Sequence, residues 1–225
     1  MTGRIGAVAW LVGAAQFLIA QLVVGAAWTT HYSWATNNIS DLGNVDCRIW
    51  DESRPRYVCS PLHAVVNASF LIEGVLLLVG VLMTGAFLGR TAMTRAARVL
   101  FAASAVGWVI VGLVPADIDE NRHVLGALLI LGLGNIGLVC AGFGPATAAF
   151  GRARVVSRAF AIAAVLSAVL FFTGHGPVVG IGGMERIAAF AVPAWTVVAA
   201  IIALTSGRAQ STSAGSLRTS PQHRA

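Results

Sequence analysis

The chain has 225 residues, of which 57% are hydrophobic and only 11% charged, with a mean hydropathy of +0.79. A soluble domain of this length carries roughly a quarter charged residues, so that class is excluded. The basic residues are all arginine, and no basic stretch is interleaved with aromatics as single-strand binding needs, so no nucleic-acid partner is expected.

Apolar runs occupy approximately 5–28, 62–88, 99–115, 124–149, 159–173 and 187–205. Crossing the hydrocarbon core takes about 20 apolar residues, within a range of roughly 17–25. The fifth run reaches that range by extending back through Val155 and Val156. Residues 1–206 are therefore predicted to form one all-α domain, a bundle of six transmembrane helices. The first run follows Arg4 and ends near Gly25, Ala26 and Ala27, as a signal peptide would. Its apolar core exceeds the roughly 7–15 residues of such a segment, so it is read as helix one.

The loop 29–59 is the only connection long enough to hold structure of its own. Its stretch "THYSWATNNISDLGNVDC" crowds His31, Asn37, Asn38, Ser40, Asp41, Asn44 and Asp46 at one helix mouth. Asn38 or Ser40 is placed to cap a short helix or turn there. Cys47 and Cys59 share the loop, and on an oxidising side of the membrane a disulfide between them is expected. A Cys59/His63 metal pair is the alternative. Ser60 and Pro61 read as the N-cap and first position of helix two. That helix carries His63, Asn67 one turn deeper, and Glu73 about 15 Å deeper than His63. A carboxyl at that depth must be paired or carry a proton, which makes it a functional candidate.

Between helices three and four, "DIDEN" resembles the start of a calcium loop, but Arg122 and Leu128 stand where glycine and glutamate are needed. "GLGNIG" at 132–137 fits a dinucleotide fingerprint yet lies mid-helix with no strand before it, so it reads as a site of close helix approach. Cys140 reads as a small core residue. After helix five come His175 and the glycine-rich "GHGPVVGIGG", which together with Pro193 suggests broken helices. Glu185 and Arg186 open helix six. Residues 207–225 are small, polar and aperiodic, and read as a disordered tail.

Orientation follows from arginine placement. The N-terminus, the two loops after helices two and four, and the tail hold ten arginines and no acid, whereas the other three connections hold five arginines and eight acids. The positive-inside bias predicts a multi-pass cell-membrane protein with both termini cytoplasmic and the loop 29–59 outside.

Four of the five histidines and eight of the nine acids then fall at the outer end of the bundle. His63, His123 and His175 each stand at the end of a different helix, and three imidazoles plus water make an open catalytic zinc site. Asp41 or Asp117 could serve as a further ligand or general base, with Ser40 beside Asp41. Asn38, Asn67, Glu73, Glu185 and Arg186 complete the candidate substrate contacts. The structural explanation of the same residues is turn and cap chemistry, helix-dipole complementarity and a Glu185–Arg186 ion pair.

"NNISDLG", "SPLH", "GLVPADIDENRHVLGA" and "GMERIAAF" resemble the prokaryotic six-helix membrane family catalogued as Domain of Unknown Function 998. The resemblance runs to about residue 206. It implies the fold and a polar outer face, and lends no activity. A more distant likeness is to membrane hydrolases related to alkaline ceramidases, which gather a serine, an aspartate and three histidines around zinc. Ser40, Asp41, His63, His123 and His175 offer that inventory, but there is no H-x-x-x-H pair and six spans replace seven.

Three functions are consistent with these residues. One is a metal-assisted hydrolase or transferase acting on lipid or lipid-linked substrates, with zinc or another divalent metal activating water. Another is a proton-linked carrier or lipid-binding protein built on Glu73. The third is an accessory membrane subunit whose outer loop binds a protein partner.

Overall fold

The computed structural model describes residues 2–145, 147, 151 and 153–217, with backbone alone for 86, 87 and 206–217. Six segments are long and apolar enough to cross a membrane. They are α1 (Thr2–Ala26), α2 (His63–Met83), α4 (Ala92–Leu113), the composite Glu120–Phe143, α7 (Arg154–Phe172) and α8 (Gly180–Leu217). A short α3 (Gly85–Leu88) follows α2. The composite span consists of α5 (Glu120–Leu128), a π-helical stretch Leu129–Gly134 and α6 (Asn135–Phe143). These helices make the protein an all-α multi-pass membrane bundle.

Helix ends depart from the apolar runs where caps decide them. Thr91 accepts a hydrogen bond from the Thr94 backbone N–H and starts α4 well before the apolar run at 99. Asp119 accepts from the Arg122 N–H and starts α5 before the run at 124. Hydropathy marks the depth of the membrane, whereas capping marks where the backbone turns helical. The backbone of α8 continues to Leu217, inside the segment read as a tail, and residues 218–225 lie outside the described residues.

The spans close a ring in chain order: α1 packs on α2, α2 on α4, α4 on α5–α6, α6 on α7, α7 on α8, and α8 back on α1. Small residues set the close contacts. A Cβ on Gly74 would come within 2.6 Å of the Ala105 carbonyl, and one on Gly107 within 2.6 Å of the Gly126 carbonyl. In "GLGNIG", Gly134 and Gly137 face Ser104 and Phe101 across such contacts, while Gly132 faces open space.

Aromatic rings fill the ring's interior. Phe17 meets Trp108 at 4.9 Å and Phe190 at 5.1 Å, both edge-on, and Phe101 meets Trp195 at 4.9 Å. Outward faces such as Ile5, Val12, Ile19, Val75, Val99 and Leu166 remain apolar and exposed, as lipid contact requires.

At one end lies the loop between α1 and α2, with a 3₁₀ turn Ser40–Gly43 and an antiparallel hairpin of β1 (Arg48–Trp50) and β2 (Arg56–Val58). The hairpin pairs Ile49 with Tyr57 and is tied across its ends by the Cys47–Cys59 disulfide, Cα–Cα 4.2 Å. Three-residue strands held by a bridge carry little hydrophobic alternation, so the sequence pattern did not announce them.

Candidate functional site beneath the loop

The stretch "NNISDLG" forms the underside of this loop, and its polar side chains hold the loop to the bundle. Asp41 is fully buried. Its Oδ1 accepts from Arg56 Nη2 at 2.6 Å. Its Oδ2 accepts from Arg56 Nε at 2.7 Å, and from Asn37 Nδ2 and the Asn38 N–H at 3.0 Å each. That is a bidentate guanidinium–carboxylate pair with two further donors, the geometry that offsets the cost of burying a charge. Burial alone would lower the Arg56 guanidinium, yet its bonds to Asp41 and Asp51 hold it above its ordinary range.

The far side of the loop rests on the start of α8. Gly180 and Gly182 are essential seats: a Cβ on either would collide with the carbonyl of Ala35 or Asn37. Gly180 also has φ +76°, a region that favours glycine. The Gly182 N–H donates to Ala35 O at 2.9 Å, so "GHGPVVGIGG" is the landing site of the loop. Arg186 then donates to the carbonyls of Trp34 and Asn37 and to the Tyr32 hydroxyl, and its guanidinium stacks 4.8 Å from the Trp34 ring. Burial drives the Tyr32 phenol well above its ordinary range, against the pull of Arg186. Glu185 Oε2 accepts from the Ile39 N–H at 2.7 Å.

Helices α2 and the α4–α5 turn fix the near side. Ser60 Oγ and Asn67 Nδ2 donate to the carbonyls of Leu42 and Gly43 at 2.7 and 2.9 Å. Asp117 Oδ2 accepts the Val45 and Asp46 N–H groups at 2.7 and 2.8 Å. Asn38 Oδ1 accepts from Arg54 at 2.6 Å.

Under this lattice lies a cavity of about 30 Å³, room for one or two waters. Its lining includes Ser40, Phe70, Trp108, His123, Ala189 and Glu185. His123 is buried and donates from Nδ1 to the Val114 carbonyl at 2.8 Å, which fixes the tautomer and leaves Nε2 as an acceptor. The indole N–H of Trp108 is buried without a partner among the described residues. Neither the Ser40 hydroxyl nor the second oxygen of Glu185 has a hydrogen bond within the described residues. Two irregular backbones line the same space: the π-helical stretch supplies Ile130 and Leu131, a feature frequent at functional sites. Pro193 has no N–H to give the carbonyl of Ala189 four residues before it.

The three histidines expected to share a metal do not gather in this structure. Among the described residues, no group of three or more His, Cys, Asp or Glu side chains is arranged to hold a metal ion. His63 is half-buried and donates to its own turn at Ser60 O, 3.1 Å. His175 is exposed, 3.1 Å from Thr173 Oγ1. Only His123 reaches the cavity. His63 and His175 are held within their own helix ends and His123 by the end of α4, so each imidazole has a separate local partner. The Cys59/His63 alternative also lapses, because Cys59 is in the disulfide. Asp41, Asp117, Asn38 and Arg186 act as loop anchors and do not line the cavity. Arg56 and Trp108 escaped the sequence reading, one counted only as loop charge and the other as an apolar residue of helix three. Ten residues below His63 on α2, Glu73 lies apart in the bundle interior.

The chain is thus a six-span membrane protein with a small cavity beneath its loop, lined by apolar side chains together with Ser40, Trp108, His123 and Glu185. It belongs to the family described as "Protein of unknown function (DUF998)", which matches residues 11–202. No curated protein and no solved structure matches it.

Proposed function

We propose that the protein is a membrane hydrolase or transferase that acts at the extracytoplasmic face on an ester- or amide-bearing lipid-linked substrate. The supporting observation is that four polar groups, the Ser40 hydroxyl, His123, the Trp108 indole and Glu185, line one cavity. His123 Nε2 takes the proton of the Ser40 hydroxyl as its oxygen attacks the carbonyl carbon. The Trp108 N–H donates to the oxygen on which negative charge develops. The proton held by His123 passes to the leaving group, and water or an acceptor alcohol then releases the acyl group by the same route. The cavity admits one reacting carbonyl, and the rest of the amphiphile stays in the surrounding lipid.

The test is serine-directed labelling of the purified full-length protein with a fluorophosphonate, together with hydrolysis of amphiphilic esters in vesicles. Labelling is expected to vanish in Ser40→Ala and to fall sharply in His123→Gln. Labelling that persists in Ser40→Ala, or is absent from the wild type, overturns the reading.

A second reading, an accessory subunit that docks a partner protein through the loop, draws on the exposed cross-strand pair Ile49 and Tyr57, 65% and 47% accessible. It predicts co-purification of a partner that Ile49→Ser with Tyr57→Ser releases.

A further inference from the structure

Glu73 is an ionisable side chain buried in the middle of α2. It is 2% exposed, and its Oε2 has no partner within the described residues. The carboxyl lies against α1 at Gly13, where a Cβ would come within 2.8 Å of Oε2, so glycine leaves the space that the acid fills. Among the described residues no basic group pairs with it. The segments at its level are residues 10–17 of α1, 104–112 of α4, 129–134 and 190–197 of α8. None carries a charged or titratable side chain. Along these elements the titratable groups that flank the segments are His63, His123 and Glu185 toward the loop, and Arg4, Arg95, Arg98 and Cys140 toward the other end.

A purely structural acid at this depth would be expected to close a hydrogen-bonded pair with the neighbouring helix. The adjacent turn shows that geometry: Gln16 and Ser69 exchange two hydrogen bonds at 2.7 and 3.2 Å across the same α1–α2 contact. Glu73 has no such arrangement. Its unpartnered state is shared by a set of buried groups toward the cavity. Among the described residues, both amide atoms of Gln21 lack partners, as do Asn67 Oδ1 and the Trp108 indole N–H. Gln21 is about 12 Å along α1 from Gly13, and Asn67 about 9 Å along α2 from Glu73, at helical rise, both toward the loop. Trp108 lines the cavity itself and packs on Phe70, one turn from Glu73. Buried polar groups left without protein partners are ordinarily met by water.

We propose that Glu73 is a proton-binding site in the membrane interior, reached from the cavity beneath the loop past Asn67, Gln21 and Trp108. Uptake transfers one proton from a water-borne hydronium to the Glu73 carboxylate and leaves water and a neutral acid. Release reverses the step, and no electron moves. The site is separate from the acyl chemistry proposed for Ser40 and His123.

The experiment is infrared difference spectroscopy of the full chain in lipid vesicles as external pH is stepped. The expected result is a protonated-carboxyl C=O band that titrates with pH, is lost in Glu73→Gln and survives in Ser40→Ala. In Gln21→Leu its response to the pH step is slowed. Should Glu73→Gln fail to fold, the wild type treated with a hydrophobic carbodiimide is mapped by mass spectrometry, and the adduct is expected on Glu73. A band that persists in Glu73→Gln, a carboxyl band indifferent to pH, or an adduct that never forms on Glu73 overturns the proposal.

Discussion

Arg56→Met isolates the energetics of the loop. In the wild type two charge-assisted bonds of 2.6 and 2.7 Å join Arg56 to a fully buried Asp41. Removing one partner of such a pair costs about 3–5 kcal/mol, because the remaining charge is left buried. Asp41 keeps the donors of Asn37 and Asn38 at 3.0 Å, which places the expected loss at the lower end, about 3 kcal/mol. A local opening made easier by that amount speeds amide exchange by roughly two orders of magnitude. Hydrogen exchange read by mass spectrometry on peptides covering residues 33–46, in detergent micelles or nanodiscs, measures it directly. The loss is local, so the spans should keep their protection. Asp41→Asn combined with Arg56→Met is expected to be less destabilised than Arg56→Met alone, since no unpaired carboxylate remains. If Arg56→Met changes loop exchange less than about threefold, well short of that estimate, or if the double variant exchanges faster than the single one, the anchoring role assigned to this pair is wrong.

Cys47→Ser with Cys59→Ser opens a 12-residue loop; the chain-entropy relation gives about 3 kcal/mol, expected as early thermal loosening of the hairpin with unchanged far-ultraviolet helix signal. Gly80→Ala drives a methyl group into the Trp10 indole, whose N–H donates to Leu77 O. The overpacking should cost about 1–3 kcal/mol in detergent unfolding and be partly relieved by Trp10→Phe. Burial raises the Asp51 carboxyl, but the Ser53 and Arg56 hydrogen bonds outweigh it and hold the group below its ordinary value. Its contribution is therefore complete above the unfolded carboxylate range and is lost as pH falls through the lowered folded value. Proteolysis of the hairpin should accelerate only in that acid range, and Asp51→Asn should abolish the acid step while leaving neutral pH already loosened.

The candidate site was legible in inventory and not in pairing. Ser40, His123 and Glu185 were picked out, and each lines the cavity. Asp41 and Asp117 were assigned chemistry, yet the structure gives their oxygens to Arg56 and to backbone N–H groups. The difference arises because Asp41 and Arg56 are 15 residues apart on two sides of a loop, and Glu185 meets Ile39 across 146. A side chain's partner over such separations depends on how the backbone returns, which no local periodicity encodes.

The number of spans, their order and the location of the long polar loop follow from the sequence by itself, because a bilayer imposes a length and a polarity on every segment that crosses it. Closure of the ring decided the rest. It left His63, His123 and His175 ungathered, placed Gly180 and Gly182 under the returning loop, and left Glu73 facing a glycine with no cation paired to it among the described residues. Those outcomes depend on which faces of six apolar helices meet. Helices this uniformly greasy carry little polarity difference around their circumference, so small residues and packed rings, acting in three dimensions, make the choice.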